Sequence, residues 1–190
     1  MKKLLLMFLL CITSQSYAFE IAGVKLEDKL QLDKHQLVLN GAGIRSKFVV
    51  NVYVVGLYLS EKLNTAEAVL ADTGAKRISI HMLRDVSGKL FSDGLNISLL
   101  ANQSEAEMKV LDPSVDKLLK FISTVPELHK GEIINLDYLP GLGTKILING
   151  VDKGYIEGLD FNRALLKIWL GKKPVKKSVK QALLGEEEEK

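Results

Sequence analysis

The chain has 190 residues, 47% of them hydrophobic, with 26 basic and 23 acidic side chains. That composition supplies a core for a single domain and excludes an intrinsically disordered protein. Two of the basic residues, Lys2 and Lys3, stand in an N-terminal leader without an acid, so the remainder is near neutral and lacks the basic excess of a nucleic-acid binder.

Residues 1–18 read as a signal peptide. A positive start is followed by an apolar run from Leu4 to Ile12. Ser16-Tyr17-Ala18 then offers small residues at the two positions a signal peptidase reads, which predicts cleavage after Ala18 and a periplasmic or secreted product. The apolar run falls short of the roughly 20 residues a membrane span needs, and no later segment is long and apolar enough to span. Cys11 is the only cysteine, and Leu10 stands where a lipoprotein needs a small residue. The exported part, a single domain over 19–185 with an acidic tail at 186–190, would have no thiol for a disulfide, a nucleophile or a metal site.

Residues 19–26 alternate loosely as a first strand. Leu30–Leu32 and Gln36–Leu39 flank Asp33-Lys34-His35, which predicts a hairpin. Asn40-Gly41-Ala42-Gly43 breaks the pattern and predicts a sharp turn. Residues 48–59 are apolar on both faces apart from Asn51 and two tyrosines, as in a central strand covered on both sides, with Gly56 marking a bulge or a close backbone contact. Asn64 with Glu67 predicts the cap of a short helix through Ala71, and residues 77–83 a further strand.

Three helices are expected next: 87–101, one opened by the Ser104/Glu107 capping box, and one capped by Asp112 with Pro113 at its first position. The apolar stripe of the last is Val115, Leu118, Leu119 and Ile122. Strands follow at 132–139 and 144–149 around Pro140-Gly141-Leu142-Gly143, and 154–157 continues the sheet. Phe161, Ala164, Leu165, Ile168 and Trp169 form a helical stripe stopped by Gly171, and Pro174 starts a last amphipathic helix ended by Gly185. With no repeat and no linker, this is one α+β domain.

His35, His81 and His129 share no metal-ligand spacing, and Gly41-Ala42-Gly43 fails as a dinucleotide fingerprint because Ser46 holds the third glycine position and no βαβ helix follows. No metal or cofactor is expected. Arg45 lies between a glycine turn and a buried run, so its guanidinium needs an anion, from an internal carboxylate or from a ligand. Tyr53 sits inside the apolar strand, where a buried hydroxyl also needs a partner. In one straight strand the two would stand roughly 26 Å apart. A joint site therefore requires the chain to fold back between Ser46 and Val50, where Phe48-Val49-Val50 is poor turn chemistry.

The segments Leu39-Asn40-Gly41-Ala42-Gly43-Ile44-Arg45 and Val52-Tyr53-Val54-Val55-Gly56-Leu57-Tyr58-Leu59 resemble the chalcone isomerase-like family. So do Phe161-Asn162-Arg163-Ala164-Leu165-Leu166-Lys167-Ile168-Trp169-Leu170-Gly171 and the Lys-rich helix after them. The likeness is greatest to the family's exported bacterial branch. It implies an open-faced β-sandwich, a curved antiparallel sheet packed against a layer of helices, with a ligand cleft between them.

In the isomerases of that family, which close a chalcone's ring through a phenolate, the arginine falls on Arg45 and a strand threonine on Tyr53. Phe91 stands near their tyrosine and Gly94 near their lysine, and Asn96 is close to their asparagine. The resemblance to non-enzymatic members implies an arginine and a tyrosine, here Arg45 and Tyr53, gripping the carboxylate of a fatty acid. Three functions follow as expectations. The first is a non-catalytic exported protein binding a small apolar carboxylate. The second is an intramolecular lyase or isomerase of a chalcone-like enone. The third is an envelope scaffold without a small ligand.

Overall fold

The computed structural model describes residues 18–186. The expected leader with Cys11 lies outside the described residues, except that Ala18 begins the first strand, and so does the tail beyond Glu186.

Seven strands form one antiparallel sheet: β3 (Lys29–Leu32), β4 (His35–Lys47), β5 (Val50–Leu59), β6 (Lys76–Met82), β9 (Ile133–Leu139), β10 (Gly143–Ile148) and β11 (Val151–Ile156). Their order is β11-β10-β9-β6-β5-β4-β3. Among the described residues five helices accompany the sheet: α1 (Ala66–Ala71), α2 (Gly88–Ala101), α3 (Glu105–Ser123), α4 (Leu159–Leu170) and α5 (Lys177–Leu183). The sequence at 19–26 makes a hairpin, β1 (Ala18–Ile21) with β2 (Val24–Glu27), and not the single strand expected there. Ala22 and Gly23 turn it with φ of 51° and 76°. A small pair, β7 (Val86–Ser87) with β8 (Glu127–Leu128), brackets α2 and α3.

Two apolar cores explain why β5 is apolar on both faces. Tyr53, Val55, Leu57 and Leu59 belong to the larger core, shared with the helices and including the fully buried Trp169. Val54 and Tyr58 belong to a second core with Leu26, Leu37 and Leu39, under the β1–β2 hairpin. Alternation along a strand sends successive side chains to opposite faces, so a sheet covered on both sides needs this pattern.

Two further expectations are corrected. Asn40–Gly43 is not a turn but continuous strand within β4. Asn40 is the extra residue of a bulge, since Leu39 pairs with Tyr58 and Gly41 with Leu57. Its buried amide donates to the Leu183 and Leu63 carbonyls at 2.7 and 2.9 Å, and accepts from the Leu63 amide at 2.7 Å. The glycines serve close approach. A methyl group at Gly41 would sit 2.0 Å from the Ala182 carbonyl oxygen, and one at Gly43 would sit 3.1 Å from the Ala182 side chain, so α5 lies directly on the strand backbone.

The second correction concerns Asp112 and Pro113, which start no helix. α3 runs unbroken through both. Its buried stripe of Met108, Leu111, Val115, Leu118 and Ile122 keeps helical phase across the proline. Pro113 and Lys109 are both exposed, so the missing hydrogen bond falls on the solvent side. Smaller shifts put the N-cap of α1 at Thr65, not Asn64, and the start of α5 at Lys177.

Candidate functional site

Side chains at 41, 43 and 45 project from the same face of β4. α5 covers the first two, leaving no room for a side chain at Gly41 and little at Gly43, and Arg45 is the first residue on that face with room for a side chain beyond them. The chain then turns back through Phe48 and Val49, with Phe48 at φ 55°. This is the reversal that a joint site requires, made by residues with poor turn chemistry. A second bulge follows: Ser46 pairs with Asn51 and Arg45 with Tyr53, leaving Val52 as the extra residue. Arg45 and Tyr53 are thus cross-strand partners, with Cα atoms about 5 Å apart by the geometry of such pairs.

Both side chains line one open cleft of about 610 Å³ between the end of the sheet and α2. Its wall is largely apolar, with Val52, Phe91, Leu95 and Ile168 among the lining residues. Tyr53 is buried, with its ring edge-on to Phe91 at 6.2 Å and 68°. The Trp169 indole N–H donates to its hydroxyl at 3.1 Å. An indole can only donate, so the phenol oxygen is the acceptor and the phenol's own proton stays available. Burial pushes the Tyr53 phenol up to about 12, opposed by the Trp169 hydrogen bond and by the nearby Arg45 charge. It is therefore a neutral donor throughout the physiological range.

Arg45 is half-buried and makes no ion pair among the described residues, so none of the carboxylates described there is its partner. The acids at the mouth are engaged elsewhere. Asp93 pairs with Lys89 at 2.7 Å, and Asp85 accepts from the Lys130 backbone at 2.8 Å and faces His129 at 3.6 Å. A half-buried cation beside a neutral hydroxyl donor in an apolar cleft can hold an anionic head group with an apolar body.

The residues at the isomerases' polar positions bring no donor to this wall. Phe91 and Gly94 line the cleft without a polar side-chain atom, and Asn96 is half-buried outside its lining. Sequence reasoning missed Trp169 as the partner of Tyr53, having read it only as part of an apolar stripe. A buried indole N–H requires an acceptor, and that requirement was the available signal.

A family model described as chalcone isomerase-like matches residues 18–185. Among solved structures, the chain is similar to a fatty-acid binding protein of Arabidopsis thaliana, with a TM-score of 0.65 at 15% identity over 88% of this chain and 96% of that one. At that identity the likeness establishes the fold: a curled antiparallel sheet with helices. No curated protein sequence matches the chain.

Proposed function

The chain belongs to the chalcone isomerase-like family, and on that premise we propose that it is an exported, non-catalytic protein that holds a fatty acid or a similar small amphipathic carboxylate in the sheet–helix cleft. The observation that carries this reading is the pairing of Arg45, without a counter-ion among the described residues, with the neutral hydroxyl of Tyr53 in the lining of an apolar cleft. The carboxylate accepts a charge-assisted bond from Arg45 and a second from the Tyr53 O–H, and the alkyl chain lies along Val52, Phe91 and Leu95. The similar Arabidopsis protein, named for fatty-acid binding, supports the same ligand class. The open cleft favours this reading over a scaffold, which would fill the space with side chains, and the missing donors at Phe91 and Gly94 favour it over an isomerase.

Native mass spectrometry of protein purified from its own host tests the proposal. A bound apolar acid is expected, together with a thermal shift on adding fatty acids. Arg45→Ala should weaken binding by about tenfold or more and Tyr53→Phe by several-fold, in line with the worth of hydrogen bonds to a charged group. No co-purified acid and no thermal shift across a fatty-acid panel would overturn it. Turnover of a chalcone that depends on Arg45 would overturn the non-catalytic part. Export is checked by N-terminal sequencing of protein from the envelope or medium, which should begin at Phe19.

A further inference from the structure

The β4–β5 turn exposes two large apolar side chains that no part of the fold requires. Phe48 is 92% exposed and Val49 97% exposed. Phe48 holds φ at 55°, a left-handed conformation that asparagine or glycine adopts with far less strain. No core contact offsets that strain, and strain of this kind concentrates at functional positions. The tip does not stand alone. Val50 on β5 and Leu90 and Ile97 on α2 are also exposed, and together with Phe48 they line the mouth of the Arg45–Tyr53 cleft. Half of the exposed large apolar residues thus gather at this entrance, while Phe19, Leu100, Val110, Leu142 and Val151 stand outside the cleft lining.

Behind this rim stand three exposed cations. Lys47 precedes the tip and pairs with Val50 across the hairpin. Lys176 reaches Ser46 on the next rung, its Nζ donating to the Ser46 hydroxyl at 3.4 Å. Arg84 follows β6 at the same end of the sheet and lines the cleft mouth. Among the described residues none of the three is in an ion pair, while the acids that line the cleft, Asp85 and Asp93, face His129 and Lys89. A projecting apolar tip backed by cations is the charge and hydropathy order of a bilayer interface, in which acyl chains lie beneath anionic head groups.

We propose that this end of the molecule docks on an anionic phospholipid bilayer, with Phe48 and Val49 inserted among the acyl chains and Lys47, Arg84 and Lys176 on the head groups, so that the cleft opens onto the membrane. The proposal rests on the carboxylate-binding reading and gives it a source of ligand: an apolar acid passes from bilayer to cleft without its alkyl chain crossing bulk water.

Because Trp169 is the only native tryptophan and is buried, Phe48→Trp in the full chain places a reporter at the tip. On vesicles of equal parts phosphatidylglycerol and phosphatidylcholine, the introduced indole should shift to the blue and be quenched by brominated acyl chains. On phosphatidylcholine alone, or at high salt, both effects should shrink, because head-group attraction is screened. Val49→Asp alters a residue outside the cleft lining. In the Phe48→Trp background it should weaken tip insertion by about tenfold or more while leaving affinity for a free fatty acid in vesicle-free buffer unchanged. An unshifted indole on anionic vesicles overturns docking even if free acids bind. Insertion without any binding of free acids overturns the carboxylate reading and leaves docking standing. A dimer in analytical ultracentrifugation that Val49→Asp dissolves overturns docking in favour of self-association.

Discussion

At Gly41 the identity of one residue decides whether two elements can meet. An added methyl would lie 2.0 Å from the Ala182 carbonyl and 2.9 Å from the Leu183 backbone, neither of which can move without displacing α5. Gly41→Ala should therefore destabilise the fold by about 3 kcal/mol, the upper end for overpacking, seen as a lower urea midpoint at unchanged slope. Gly94 is the opposite case. It sits within α2, and a methyl there meets nothing within 4 Å. Gly94→Ala should stabilise by about 0.5–1 kcal/mol through helix propensity and a less flexible unfolded chain. The same open space marks how much room the cleft wall leaves where the isomerase resemblance expects a lysine.

Among the elements, α3 carries its own start signal and a contact that ties it to α4. The Ser104 amide and hydroxyl both donate to the Glu107 carboxylate, at 2.7 and 2.8 Å, and the Glu107 amide donates back to Ser104 Oγ. Lys167 on α4 completes the set at 3.1 Å. The Ser104 backbone bond, then the Ser104 hydroxyl and Lys167, hold the Glu107 carboxyl at about 2, well below its ordinary 4.5. A carboxyl depressed on folding contributes stability above its unfolded value and loses it as pH falls through the folded one. The advantage of the parent over Glu107→Gln should be constant above about pH 4.5 and vanish towards pH 2. Thermal unfolding of the two proteins along that series measures it. A gap that persists at pH 2 would mean that packing, not charge, distinguishes them.

For the molecule as a whole, β5 couples two cores, and its tyrosines record both. Tyr53 belongs to the helix-side core and Tyr58 to the core beneath β1–β2, and burial is the main cause pushing each phenol up to about 12 from 10.0. The unfolded chain then releases these protons first as pH rises. Stability should hold up to about pH 10 and fall between 10 and 12. Phenolate absorbance from these two residues should appear only as the fold is lost. A reversible rise that counts both tyrosines before any loss of circular dichroism would show both cores to be open to water.

The β3–β4 and β9–β10 hairpins, the two-faced character of β5, the capping box of α3 and the apolar stripe of α4 were legible in the sequence, because each is written in residues a few positions apart. So was the selection of Arg45 and Tyr53, since a cation and a phenol in an apolar run each demand a partner wherever the chain goes. The chain reversal was misplaced, to Asn40–Gly43 and away from Phe48–Val49. Glycines that admit a turn also admit a close neighbour, and the neighbour, α5, lies some 140 positions away, as the Asn40–Leu183 bond shows. The unbroken α3 was hidden because whether a proline starts or interrupts a helix depends on which side faces water. Only the tertiary structure brought Arg45 opposite Tyr53, set Trp169 on its hydroxyl and gathered Phe48, Leu90 and Ile97 around one mouth. Those contacts are fixed by how sheet and helices close on each other, and no local pattern encodes that closure.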